Sequence, residues 1–349
     1  MRLGPASLAV VVFAALTAHT LTVSAQPSFD GVVRREGPQF NSRVELVPLE
    51  VCVKNRDGQP TQGLGPADFL VLENDVLQRI SFFFPERGTR LAVTLLVDAS
   101  QSMKGERLER AKAAGAGFID ILRADDLVEV ISFNERADLR YEWGSDRQQA
   151  AAALQEIEAG GRTGLNGAVM AALDRFARAG QTHHADYRQV LIVLSDGEDT
   201  SSLPTFDDVL DMARRSRVLV YTVSLPSERG AALGSGWQMT RLARDTGGRT
   251  VAPQTLADLV PLYQEIGSEL IHLYRIGYVP APSGRTDGWR AISVRVPGKD
   301  VVVRTRAGYY APRIRQAAVN EPDGSQRPKN PGMHVASHPA GSGSHGNGR

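Results

Sequence analysis

Two short apolar runs constrain the fold of this chain more than any other feature. Residues 91–97 and 190–194 are almost uninterrupted apolar stretches of strand length. A strand with one wet face alternates apolar and polar residues. A strand without that alternation is buried on both faces, as in the middle of a parallel sheet. The segments around these runs carry helical spacing. Residues 106–122 place Leu108, Ala111, Gly115, Phe118, Ile119 and Leu122 on one face. Helical patterns recur at 146–158, 165–179, 206–216, 237–245 and 256–273, and strand patterns at 127–133 and 218–223. Ala137, Leu139 and Tyr141 alternate as a short antiparallel partner. This alternation predicts an α/β domain over 89–272, built on a doubly wound, mostly parallel, Rossmann-like sheet.

The flanks have a different texture. Residues 44–53, 69–72 and 80–84 read as strands, separated by the turns Asn55-Arg56-Asp57-Gly58 and Asn74-Asp75. Three strands with few helix signals make an incomplete domain. Strand patterns return at 274–279, 291–296 and 301–306. The expectation is a split β-sandwich-like domain, with 26–88 packing on 273–312 and the α/β domain inserted between them. Cys52 is the single cysteine, which excludes a disulfide framework and a cysteine zinc site within one chain. It lies opposite the face formed by Val47, Leu49, Val51 and Val53. There it reads as a small apolar-like residue against a neighbour, with an intermolecular disulfide as the alternative.

The two ends fall outside the fold. Residues 1–25 read as a signal peptide, with Arg2, an apolar run at 8–16, and small residues Val23 and Ala25 before a cleavage point at Gln26. The run is short for a membrane span of about 20 residues. No cysteine stands at the cleavage point for a lipid anchor. The mature chain is expected to be secreted or periplasmic, with no membrane span. Residues 313–349 have no Phe, Trp or Tyr and are rich in Pro, Gly, Ser and Asn, so a disordered tail is expected, with His334, His338 and His345 solvated. Lys+Arg number 40 and Asp+Glu 39, a net of +1, which argues against nucleic acid as a partner.

The chemistry gathers at strand ends. In a doubly wound sheet, ligands bind beyond the carboxyl ends of the strands. The run 91–97 ends in Asp98-Ala99-Ser100-Gln101-Ser102, and the run 190–194 in Ser195-Asp196-Gly197. The loop Gly160-Gly161-Arg162-Thr163-Gly164 precedes a helix and can bring Thr163 to the same edge. Asp98, Ser100, Ser102, Thr163 and Asp196 offer oxygen only. All-oxygen ligation suits Mg²⁺, with Mn²⁺ or Ca²⁺ as substitutes, rather than zinc or copper. A shell only partly supplied by protein leaves a position open to a partner's carboxylate. Glu198 and Asp199 stand nearby, as outer acids or exposed loop residues.

Other functions leave weaker traces. No G-x-S-x-G elbow is present, and His183 and His184 fall at the opposite end of their strand from Asp196. An aspartyl phosphotransferase using Asp98 wants a second carboxylate two residues on, where Ser100 stands. A structural domain with a vestigial metal site is a further alternative. No motif specifies an oligomeric state.

Asp98-x-Ser100-x-Ser102, then Thr163, then Asp196 in Ser-Asp-Gly, resembles the metal-ion-dependent adhesion site of von Willebrand factor A domains. The resemblance covers residues 89–272 and implies direct ligation by Ser100, Ser102 and Thr163, with Asp98 and Asp196 acting largely through water. It implies a binding module rather than an enzyme, with a protein partner that offers Asp or Glu. The flanks are similar to those of secreted bacterial proteins related to this family. Those residues are Asp57-Gly58-Gln59-Pro60, Gly63-Leu64, Asp68-Phe69, Ile276-Gly277-Tyr278 and Arg306-Ala307-Gly308-Tyr309. Asn74-Asp75-Val76 departs from the pattern, which commonly carries Gly there, and so leaves the turn type open. Movement of the helix at 256–273 is a further implication of the resemblance.

Overall fold

The computed structural model describes residues 46–85, 89–180, 186–196, 199–225, 235–280 and 288–311. The segment expected to be a signal peptide, the segment expected to be a tail with its histidines, His183, His184, Gly197 and Glu198 lie outside the described residues.

A six-stranded sheet forms the centre. It contains β5 (Leu91–Asp98), β6 (Leu127–Phe133), β7 (Ala137–Gly144), β8 (Arg188–Ser195), β9 (Leu219–Ser224) and the two-residue β10 (Thr250–Val251). Their order is β10-β9-β8-β5-β6-β7, and every pair is parallel except β6–β7. All eight residues of β5 are buried, which explains its unbroken apolar character. Helices α1 (Glu106–Ile121), α2 (Arg147–Gln155) and α6 (Leu259–Ile271) cover one face. Helices α3 (Leu165–Ala179), α4 (Phe206–Arg215) and α5 (Ser235–Thr246) cover the other. Fully buried side chains such as Phe118, Ile119, Leu95 and Phe176 contribute about 1.5–3 kcal/mol each. The fold is therefore a doubly wound, mostly parallel α/β sheet.

Two four-stranded sheets make the second layer pair. One has the order β13-β1-β11-β4, from β1 (Val47–Asn55), β4 (Ile80–Phe84), β11 (Tyr274–Tyr278) and β13 (Val301–Arg304). The other has the order β14-β12-β2-β3, from β2 (Leu70–Glu73), β3 (Val76–Gln78), β12 (Gly288–Arg295) and β14 (Gly308–Ala311). Each sheet mixes strands from before and after the α/β segment. Neither set forms a sheet without the other, because β11 pairs between β1 and β4, and β12 pairs with β2.

Several sequence features gain a physical reason here. Asn74 and Asp75 take φ values of 48° and 65° and join β2 to β3. Two consecutive left-handed residues mark a type I′ hairpin turn, and Asn and Asp tolerate that region best after Gly. The Asn74 side chain also accepts a hydrogen bond from Ala291 N at 2.9 Å. Gly277 and Gly308 are close-approach positions. A Cβ on Gly277 would meet the Phe82 ring at 1.8 Å, and one on Gly308 would meet Arg290 O at 2.3 Å.

Strand β1 faces two cores. Val47, Leu49, Val51 and Val53 pack in the sandwich, while Cys52 belongs to the α/β core that also holds Tyr221 and Leu270. Burial, then the charge of Glu269, pushes the Cys52 thiol up to about 11. A buried, protonated thiol is a poor candidate for an intermolecular disulfide.

Candidate functional site

The site forms where β5 and β8 end side by side. Their register pairs Val97 with Leu194, so Asp98 stands level with Ser195 and Asp196 leaves one residue later. Asp98 is fully buried. Its Oδ2 accepts from Ser195 Oγ at 2.6 Å, and its Oδ1 accepts from Ser100 N at 2.8 Å. Burial pushes the Asp98 carboxyl up to about 6, although hydrogen bonds from Ser195 and Ser100 oppose the rise. With both oxygens engaged and no solvent exposure, Asp98 is badly placed for nucleophilic attack.

The loop after β5 turns its hydroxyls together. Ser100 Oγ and Ser102 Oγ lie 3.0 Å apart. Two backbone bonds join this loop to the one at 160–164, Gly160 N to Ala99 O at 2.8 Å and Gln101 N to Gly161 O at 2.9 Å. Thr163 is buried at the end of that second loop, just before α3. Asp196 closes the group. Its Oδ1 is buried with no hydrogen-bond partner among the described residues. Its Oδ2 has Arg107 Nη1 at 4.0 Å, both side chains being largely shielded from solvent.

An orphaned, buried carboxylate oxygen is costly. Asp98, a second buried carboxylate, is near enough to feel the charge of Asp196, and Ser100, bonded to Asp98, carries the hydroxyl that pairs with Ser102. That donor set is all oxygen and suits a hard divalent cation. No cluster of three His, Cys, Asp or Glu occurs among the described residues, so the site is recognisable only when hydroxyls are counted as ligands.

Three residues support the site, of which Ser195 and Thr200 escape a reading of the sequence for ligands while Asp199 reads there as either an outer acid or an exposed loop residue. Ser195 clamps Asp98. Asp199 does not act as an exposed acid. Its Oδ2 accepts from Asn166 N at 2.7 Å at the start of α3, and its Oδ1 from Ser202 N at 2.9 Å. Thr200 braces Thr163, whose N donates to Thr200 Oγ1 at 3.1 Å while its O accepts from Thr200 N at 2.8 Å. The Ser-Asp-Gly motif predicts none of these contacts, because the first depends on the register of β5 on β8 and the other two on where residues 199–202 lie against Thr163 and the start of α3. The cation Arg107 comes from the first turn of α1, where sequence spacing gives no sign of it.

The model of the family "von Willebrand factor type A domain" matches residues 93–198. The human inter-alpha-trypsin inhibitor heavy chain H6 is 26% identical over 306 residues, covering 78% of this chain and 23% of that protein. An uncharacterised protein of Synechocystis is 32% identical over 116 residues, 33% of this chain and 27% of that one. The chain thus spans about a quarter of the length of these relatives. A solved structure described as von Willebrand factor type A from Catenulispora acidiphila is 13% identical, covers 78% of this chain and 75% of that one, and has a TM-score of 0.47. No helix among the described residues is long and apolar enough to cross a membrane.

Proposed function

The chain carries a von Willebrand factor type A domain, and we propose that it is an exported binding module that engages a protein partner through a divalent cation. Ser100, Ser102 and Thr163 supply neutral oxygens, and Asp98 and Asp196 supply the negative charge. Mg²⁺ fits this hard, oxygen-only set, with Mn²⁺ or Ca²⁺ as substitutes. When bound, the cation supplies a Lewis-acid position for an Asp or Glu carboxylate of the partner. The observation that carries this reading is the orphaned, buried Asp196 Oδ1 just past the end of β8, alongside the end of β5 from which Asp98 and the Ser100–Ser102 hydroxyl pair lead. The signal-peptide pattern read in the sequence of residues 1–25 supports export.

Arg107 sets the charge balance. A guanidinium 4.0 Å from Asp196 competes with any cation for that carboxylate. Arg107→Gln is therefore expected to tighten divalent-cation binding about tenfold, as read by calorimetric titration. Weaker binding in the variant would make Arg107 a support of the site instead of a competitor.

The partner test uses the mature protein as bait. Wild type in Mg²⁺ is expected to capture a partner that is lost on adding EDTA and absent with Ser100→Ala. A partner retained in both conditions would show that binding bypasses the metal site.

A further inference from the structure

A recess of about 120 Å³ opens where the C-terminal end of α4 meets the β-sandwich. Arg214, Arg215, Arg217, Arg306, Tyr309 and Tyr310 are among its lining residues, and none belongs to the Asp98–Asp196 site. Four guanidinium groups around one small recess need a compensating charge. Arg214 pairs with Asp245 at 2.6 Å and Arg215 with Asp211 at 2.8 Å. Neither Arg217 nor Arg306 has a carboxylate within ion-pair range among the described residues. Four positive charges less two negative ones, one of which (Asp245) is shared with Arg244 at 3.4 Å, leave an excess of at least two.

A bland account covers only half of this. Arginines in the last turn of a helix offset its negative end, and that explains Arg214 and Arg215. Arg217 lies past the helix, and Arg306 comes from the segment between β13 and β14. Burial, followed by the charge of Arg217, pulls Arg306 down to about 10. The fold holds these two like charges together without an acid between them.

The donors are also prepared. Arg306 uses Nε on Gly308 O at 2.7 Å and Nη2 on Arg214 O at 2.6 Å. Arg214 uses Nε and Nη2 on Asp245, and Arg215 uses the same two nitrogens on Asp211. The Nη1 group of each remains without a hydrogen bond among the described residues. Two guanidinium planes are fixed by stacking, Arg214 at 4.8 Å over Trp289 and Arg215 at 4.2 Å over Tyr310. Immobilised guanidinium groups with free N–H donors match the oxygens of phosphate.

We propose that this recess binds a phosphate-class oxyanion, held by Arg217, Arg306 and the free Nη1 groups of Arg214 and Arg215. A phosphate monoanion-to-dianion carries about −1.5 to −2 at pH 7, which matches the local excess. Inorganic phosphate and a phosphate monoester share this chemistry.

The test titrates the full chain with inorganic phosphate, and separately with glycerol 3-phosphate, in EDTA at constant ionic strength. Saturable heat with either probe supports the site, and tighter binding of the ester marks a phosphoryl group on a larger ligand. Arg217 is exposed with no acidic partner, so Arg217→Glu is expected to fold normally and to lose about tenfold or more in affinity. Ser100→Ala is expected to bind phosphate as wild type does. The proposal is overturned by an absence of saturable binding up to about 10 mM of either probe. It is also overturned by unchanged affinity in Arg217→Glu, or by loss of binding in Ser100→Ala.

Discussion

Addition of Mg²⁺ or Mn²⁺ to the chelated protein is expected to raise its melting temperature by roughly 5–10 °C at a hundredfold excess over Kd. A ligand that binds only the folded state stabilises it by about 2.7 kcal/mol at that excess, and a domain of this size shifts by about 2–4 °C per kcal/mol. Asp98→Asn should abolish the rise. The substitution keeps a polar side chain between Ser100 N and Ser195 Oγ but removes a carboxylate that the metal-free fold holds fully buried. In EDTA the variant should therefore melt no lower than wild type, because the desolvated charge is gone. Loss of the cation effect together with retained stability separates a lost ligand from a damaged fold. Ser100→Ala tests the same site through a neutral oxygen and should weaken the response. A wild-type melting temperature that ignores Mg²⁺, Mn²⁺ and Ca²⁺ alike would make the site a structural remnant.

Much of this architecture was legible because burial leaves a strong pattern. Strand β6 and helix α3 match their sequence periods to the residue, since each has one dominant apolar face or run. The short strands β3, β10 and β14 do not announce themselves. Two to four residues carry no period, and their pairing depends on neighbours far away in the chain. Strand β1 shows a subtler limit. Its alternation places Val47, Leu49, Val51 and Val53 on one core, but only the tertiary fold reveals that Cys52 faces another. At the candidate site, hydroxyls and carboxylates could be read from spacing after strand ends. Their supports could not. Ser195 acts side chain to side chain on Asp98 across the β5–β8 register, Asp199 and Thr200 act on backbone groups brought near by loop geometry, and Arg107 reaches Asp196 across 89 residues of sequence (196 − 107).

Glu269→Gln is expected to cost about 3–5 kcal/mol of folding stability, the range for removing one partner of a buried ion pair. Glu269 sits on α6 and is 1% exposed. It accepts from Tyr221 Oη at 2.6 Å and Arg249 Nε at 3.0 Å, pairs with Lys54 at 2.8 Å, and also pairs with Arg304. Lys54 lies on β1 and Arg304 on β13, so one carboxylate ties the α/β layer to the sandwich. Burial works against its charge, but Arg304, Arg249 and Lys54 outweigh burial and hold the carboxyl down at about 2, below the ordinary 4.5. The sign follows from that depression. Where the folded pKa lies below the unfolded one, the stabilisation is present in full above about 4.5 and is lost as the pH falls towards 2. Wild-type stability, measured by urea midpoint, should therefore decline between about pH 5 and pH 3, with Glu269 one contributor to the slope. Glu269→Gln should start lower at pH 7 and decline less steeply, because its neutral side chain has no proton to gain. The neighbouring cations would then face no buried anion at any pH. A variant that melts within about 2 °C of wild type, or that keeps the full acid slope, would mean that Glu269 does not help to hold the two layers together.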